Sequence, residues 1–117
     1  MTGPALQPGE HVFHLALRRD WDAARSAGAY GVSTLGRSLD EEGFIHASRR
    51  HQWRAVREAF YAQVEEPLVL LEIDPARLDC ELRLEVPPDA DEPFPHLYGP
   101  LTPAAVVAVH DPPDRAG

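Results

Sequence analysis

Lysine is missing from this 117-residue chain, and all 11 basic residues are arginine. That absence removes the ε-amine on which Schiff-base nucleophiles and phosphate-gripping P-loops depend. Cysteine is nearly absent too. Cys80 stands alone, so there is no partner for an intramolecular disulfide, a zinc ribbon or a redox pair. A reducing compartment, the cytoplasm, is expected. No apolar run approaches the ~20 residues that span a bilayer, and the opening stretch lacks the basic-then-apolar pattern of a signal peptide, so no membrane partner is expected. Positive charge is also scarce. Nineteen acidic residues against 11 arginines leave a net charge of −8, and such a surface repels phosphate backbones, which makes long nucleic acid a poor partner.

What is present favours a folded core. Hydrophobic residues make up 44% of the chain against 26% charged, and the length suits one hydrophobic core. Residues 1–10 and 111–117 mix Gly, Pro and Asp without periodicity and read as flexible ends around a single α+β domain over 11–110. From His11 the run His-Val-Phe-His-Leu-Ala-Leu reads as a first strand. Arg18 to Ala27 then switches to helical spacing, with Trp21, Ala24 and Ala27 on one face and Gly28 as a stop. Ser38 with Glu41 three residues on has the form of a capping box, closed by Gly43. A short strand at Phe44-Ile45-His46 precedes Ser48, placed to cap a second main helix in which Trp53, Val56 and Phe60 share a face. Leu68 to Ile73 reads as a central buried strand broken by Asp74-Pro75, followed by strands at Leu82 to Val86 and Ala105 to Val109. Helices early and strands late favour α+β over a wound parallel sheet.

Three histidines carry the chemical signal. His14, His46 and His96 sit within or beside strands, where side chains with near-neutral pKa can converge on a cleft for proton transfer or anion binding. Gly43-Phe44-Ile45-His46-Ala47-Ser48 places a histidine just ahead of an expected helix start, whose free amides and Ser48 hydroxyl could hold a phosphate or carboxylate. In Phe94-Pro95-His96-Leu97-Tyr98-Gly99-Pro100, prolines stiffen the backbone around a His and a Tyr that share one face when extended. Glu72 and Glu85 lie on strands among apolar neighbours and need partners. Glu85 is the candidate site carboxylate, and Glu72 is expected in a structural pair, with Arg83. A zinc site from the three histidines is a further option, but no His-Glu-x-x-His spacing supports it and no metal is expected.

Together with Trp21, Gly28-Ala29-Tyr30, Leu-Leu-Glu-Ile-Asp-Pro-Ala and Leu-Glu-Val, these segments resemble, in order from His11 to Val109, the bacterial family known as domain of unknown function 952. The resemblance implies the fold of ADP-ribosyltransferases and RNA 2′-phosphotransferases, a curved, split, antiparallel or mixed sheet with two main helices and a cleft for NAD. Among catalytic candidates His14, His46, Glu85 and His96, it implies that His14 contacts the nicotinamide ribose, that Tyr30 or the pair His46 and Ser48 lies beside the nicotinamide, and that Glu85 or the pair His96 and Tyr98 holds the ribose hydroxyl. It implies ligand contacts from His14, Tyr30, His46, Ser48 and Tyr98, with NAD or a nucleotide as cofactor. The chain is expected to be a monomer or dimer whose partner is a small molecule, bound with or without turnover.

Overall fold

The computed structural model describes residues 5–34, 37–88 and 90–111. In chain order the elements are β1 (Val12–Leu17), α1 (Arg18–Ala27), β2 (Val32–Thr34), β3 (Arg37–Ser38), α2 (Leu39–Glu42), β4 (Ile45–His46) and α3 (Trp53–Phe60). They continue as β5 (Leu68–Ile73), β6 (Glu81–Glu85), β7 (Phe94–Tyr98) and β8 (Val106–His110), with 3-10 turns at Pro75–Arg77 and Pro103–Ala105. Three antiparallel groups result: a sheet in the order β1-β5-β8, a second in the order β4-β7-β6, and the ribbon β2-β3. This is the expected small α+β domain with two main helices, to which α2 adds a single turn.

The two larger sheets meet where the chain leaves β4. Ser48 and Phe13 exchange backbone hydrogen bonds, each 2.7 Å, so the strand that begins beside β7 ends beside β1. Pro95 helps to explain the switch. Its carbonyl accepts from the Ala47 amide at 3.0 Å, but with no N–H of its own it gives nothing back to Ala47. The ladder between β4 and β7 weakens there, and the next residue, Ser48, pairs with β1 instead.

Both faces of β1 are covered. Val12 and Ala16 join Val69, Leu71, Ile73, Ile45 and Leu97 in a core that Trp21 and Ala24 of α1 close. Phe13 and Leu15 on the other face join Leu70, Trp53 and Tyr61 in a core beneath α3. Helix α1 has the expected bounds and stops at Gly28, whose φ of 88° suits glycine. Ala27, expected on the packed face, is exposed on the last turn. The Ser38–Glu41 capping box forms on α2 as anticipated.

Three further expectations need correction. Ser48 does not cap α3: the helix begins five residues later, with Gln52 at its N-cap position and no side-chain cap, because the Ser48 backbone is engaged by Phe13. Phe60 is 68% exposed rather than packed beneath the helix. Glu72 pairs not with Arg83 but with His11 Nδ1 at 2.5 Å and His110 Nε2 at 2.7 Å, tying both neighbouring strands to β5. Arg83 instead pairs with Glu81 at 2.9 Å and lies over the Tyr98 ring. At the opening of the chain, Leu6 packs against the core and Glu10 grips Arg49 with two bonds of 2.8 Å. Residues 1–4 and 112–117, which include most of the expected flexible ends, lie outside the described residues. No helix among the described residues is long and apolar enough to cross a membrane.

One glycine is fixed by a close approach. A Cβ on Gly99 would stand 2.6 Å from the Cβ of Cys80 across the mouth of the β6-β7 hairpin. Gly99→Ala is therefore expected to cost about 1–3 kcal/mol in urea denaturation. Adding Cys80→Gly should recover most of that loss, since the two substitutions share one contact.

Candidate functional site

Strand pairing brings the histidines together. His46 on β4 lies directly opposite His96 on β7, and their rings meet edge to face with centroids 5.4 Å apart. Alternation along the strands puts Phe44 on the same face as His46, and Phe94 and Tyr98 on the same face as His96. The Phe44 ring stacks on His96 at 4.2 Å and meets His46 at 4.7 Å. On the far side of β7, β6 presents Glu85 and Arg83 in register with Phe94 and His96.

His96 is 3% exposed and has one nitrogen engaged. Its Nδ1 lies 2.8 Å from Glu85 Oε1, which also accepts a hydrogen bond from the Tyr98 hydroxyl. These two donors, Tyr98 first, hold the Glu85 carboxyl below its usual range, so it is ionised and only accepts. The proton of the imidazole therefore sits on Nδ1, and Nε2 presents a lone pair. Nε2 is buried and has no hydrogen-bond partner among the described residues. Burial pushes the His96 pKa down despite the nearby carboxylate, which keeps the ring neutral at physiological pH. A carboxylate-oriented imidazole with a vacant acceptor atom is the arrangement that general-base catalysis uses.

His14 is different. Its Nδ1 lies 2.5 Å from the His46 carbonyl, which can only accept, so Nδ1 carries the proton. Nε2 then accepts from the Tyr30 hydroxyl at 2.9 Å. Both nitrogens are satisfied, and burial lowers the pKa to about 4. The side chain is a neutral strut that ties β1, the chain after α1 and β4 together across the junction of the sheets.

His14, His46, Ser48 and His96 all line one cleft of about 470 Å³. Thr34 and Tyr61 add hydroxyls, 3.4 Å apart. Tyr30 reaches it through His14, and Glu85 through His96; Tyr98 is not on the wall, and its hydroxyl is bound to Glu85. His46 is more open than the other two and faces Glu42, which lies 3.2 Å from its Nε2. Because α3 does not begin at Ser48, no helix terminus delivers free amides beside that hydroxyl. Among the described residues no group of three or more His, Cys, Asp or Glu is placed to hold a metal ion. A second hollow of about 490 Å³ runs along β8 beside Trp21 and Arg25, and no histidine or carboxylate among the described residues lines it.

Sequence reasoning missed half of the wall. Ala55, Val56, Ala59 and Phe60 of α3 face Pro87, Pro88 and Ala90 of the loop after β6. Ala55 with Ala59 and Val56 with Phe60 are pairs four residues apart, so one helical face is apolar yet partly uncovered. The loop is anchored at its far end by Gln52 Nε2, which donates to the Pro93 carbonyl at 2.9 Å and to Glu92 Oε1 at 2.8 Å. Phe44 was visible two residues ahead of His46, but its stacking on His96 depends on a pairing that sequence does not reveal.

The model of the family described as Protein of unknown function (DUF952) matches residues 15–109. Among solved structures, the chain is similar to CC0527 from Caulobacter crescentus. The crystal structure of that protein aligns with a TM-score of 0.68 at 29% identity, and its solution NMR structure with 0.69 at 29%. Both matches cover 86% of this chain, with 84% of the crystal chain and 83% of the NMR chain. No curated protein matches the chain.

Proposed function

The chain belongs to the DUF952 family, and we propose that its cleft binds a small molecule towards which His96, oriented by Glu85, acts as proton acceptor. The carrying observation is the buried, unpartnered Nε2 of His96, set in a cleft wall with its tautomer fixed from behind. An unsatisfied buried acceptor is costly, and a ligand N–H or O–H relieves it. The cleft volume is in the range of small-molecule sites. In this reading His46 and Ser48 contact the ligand, Phe44 holds the His96 ring plane, and His14 with Tyr30 keeps the junction of the sheets rigid. Proton abstraction from a bound substrate is the reaction class that fits, in a cytoplasmic protein suited to a single free thiol.

A second reading keeps NAD as the ligand and a transferase reaction as the chemistry. The observation that favours it is the split between the two sheets, with His14 on the first strand beside the gap. There Tyr30 and His14 would back the ribose end, and Glu85 would stabilise developing positive charge through His96.

Ligand-detected NMR against nicotinamide, NAD, ADP-ribose and simple nucleotides tests both readings. At least one ligand is expected to bind, and binding should vanish in Ala59→Trp, which plugs the cleft from α3, and in His96→Ala. A response that survives both substitutions sinks the first reading. Nicotinamide binding without NAD or ADP-ribose binding counts against the second.

A further inference from the structure

The walls of the cleft restrict what it can hold. On one side stand Ala55, Val56, Ala59 and Phe60, on the other Pro87, Pro88 and Ala90. A charged group between such surfaces loses its water and needs compensating charge from the protein. Among the described residues no arginine lines the cleft, and lysine is absent from the sequence. Three guanidinium groups near Ser48 and α3 have other positions: Arg49 grips Glu10, Arg50 lies over the Phe13 ring, and Arg54 lies over Trp53. Directly behind the two histidines of β4 and β7 stand carboxylates. Glu42 is 3.2 Å from His46 and is itself paired with Arg37 at 2.7 Å, and Glu85 is 2.8 Å from His96. Behind each histidine stands a carboxylate and not a cation, so among the described residues no arginine at the base of the cleft compensates an anion for its lost water.

The polar groups point to the complement. His96 Nε2 offers a lone pair that nothing among the described residues uses. Thr34 and Ser48 offer hydroxyls that can give or accept. An occupant must supply a donor to Nε2 and apolar surface to the walls.

We infer that the ligand of this cleft is an uncharged molecule with a flat or compact apolar body and an N–H or O–H donor, and that carboxylates and phosphate esters are excluded. The inference rests on the cleft reading above and specifies its ligand class. It favours a primary amide or an alcohol over any nucleotide phosphate.

Three probes of nearly equal shape separate the terms: benzamide, which is neutral with a donor; benzoate, which is anionic; and methyl benzoate, which is neutral without a donor. In protein-observed NMR titration of the whole chain, benzamide is expected to saturate with a Kd about tenfold below those of benzoate and methyl benzoate, the difference one hydrogen bond makes. The shifts should centre on His96, Ala59 and Val56. His96→Phe is expected to bring benzamide to the level of methyl benzoate. If His96→Phe fails to fold, Glu85→Gln replaces it, because losing the ionised acceptor frees the His96 tautomer and weakens benzamide selectively. Benzoate binding as tightly as benzamide, with both lost in Ala59→Trp, overturns the ligand class and leaves the cleft standing. Benzamide binding that survives Ala59→Trp overturns the cleft reading itself, and binding of none of the three overturns the inference.

Discussion

Tyr30→Ala is expected to destabilise the protein by about 3–5 kcal/mol, and Tyr30→Phe by about 1–3 kcal/mol. Tyr30 is the largest of the fully buried side chains, at 1% exposure, and belongs to the core shared by α1 and both large sheets. Its backbone exchanges hydrogen bonds of 2.9 Å with Leu101, so a void at this position opens beside two sheet segments at once. The smaller substitution isolates the hydroxyl. Without it, His14 Nε2 is left as a buried acceptor with no donor, because Nδ1 already carries the ring proton for the His46 carbonyl. Urea denaturation followed by circular dichroism reads both effects as a lower midpoint with an unchanged slope. A neutral Tyr30→Phe would show that His14 is satisfied by another donor, and the assignment of His14 as a strut would fall.

The strands and helices that pack in one local way were legible from residue pattern. Leu68 to Ile73 has the continuous apolar character of a strand covered on both faces, and β5 occupies those residues in the centre of its sheet. Arg18 to Ala27 and the Ser38–Glu41 box are set by side chains within one or two turns of each other, so they too could be read. Ser48 shows where such reading stops. A serine ahead of a helical pattern suggests a cap, but a backbone pairing with Phe13, 35 residues upstream, decides its role. The site divides in the same way. His14, His46, Ser48 and His96 could be singled out by residue type, and they do line one cleft. Which of them keeps a vacant nitrogen could not be read, because that follows from the register of β6 on β7 and from the Tyr30 hydroxyl reaching β1. Glu72 was recognisable as needing a partner, yet its two histidines come from opposite ends of the domain. Apolar and local patterns reveal elements; polar partnerships across strands depend on register.

Acid should unfold this protein earlier than its carboxylates alone would allow. Burial pushes the His14 imidazole from 6.5 down to about 4, while in the unfolded chain it titrates near 6.5. Between those values the unfolded state binds a proton that the native state refuses, so stability is full above pH 6.5 and falls as the pH drops. The loss amounts to about 2 kcal/mol at pH 5 and about 3 kcal/mol at pH 4. His96, also lowered by burial, adds in the same direction. The carboxylates of Glu10, Glu72 and Glu85 are held below their usual 4.5 by arginine, histidine and tyrosine donors, so their contribution is lost only as the pH falls below that value. The interval from pH 6.5 to 5 therefore belongs to the buried histidines. Urea denaturation at pH 7.5, 6 and 5 is expected to show the decline in the wild-type protein and a clearly flatter profile in His14→Gln. An unchanged profile in that variant would mean that His14 already carries a proton in the folded state. A charged His14 would donate from both nitrogens, Tyr30 would have to turn its hydroxyl to accept, and the base of the cleft would hold a cation able to attract the anions that its walls otherwise exclude. The pH dependence of stability thus tests, without any ligand, the electrostatic premise on which the choice of ligand class stands.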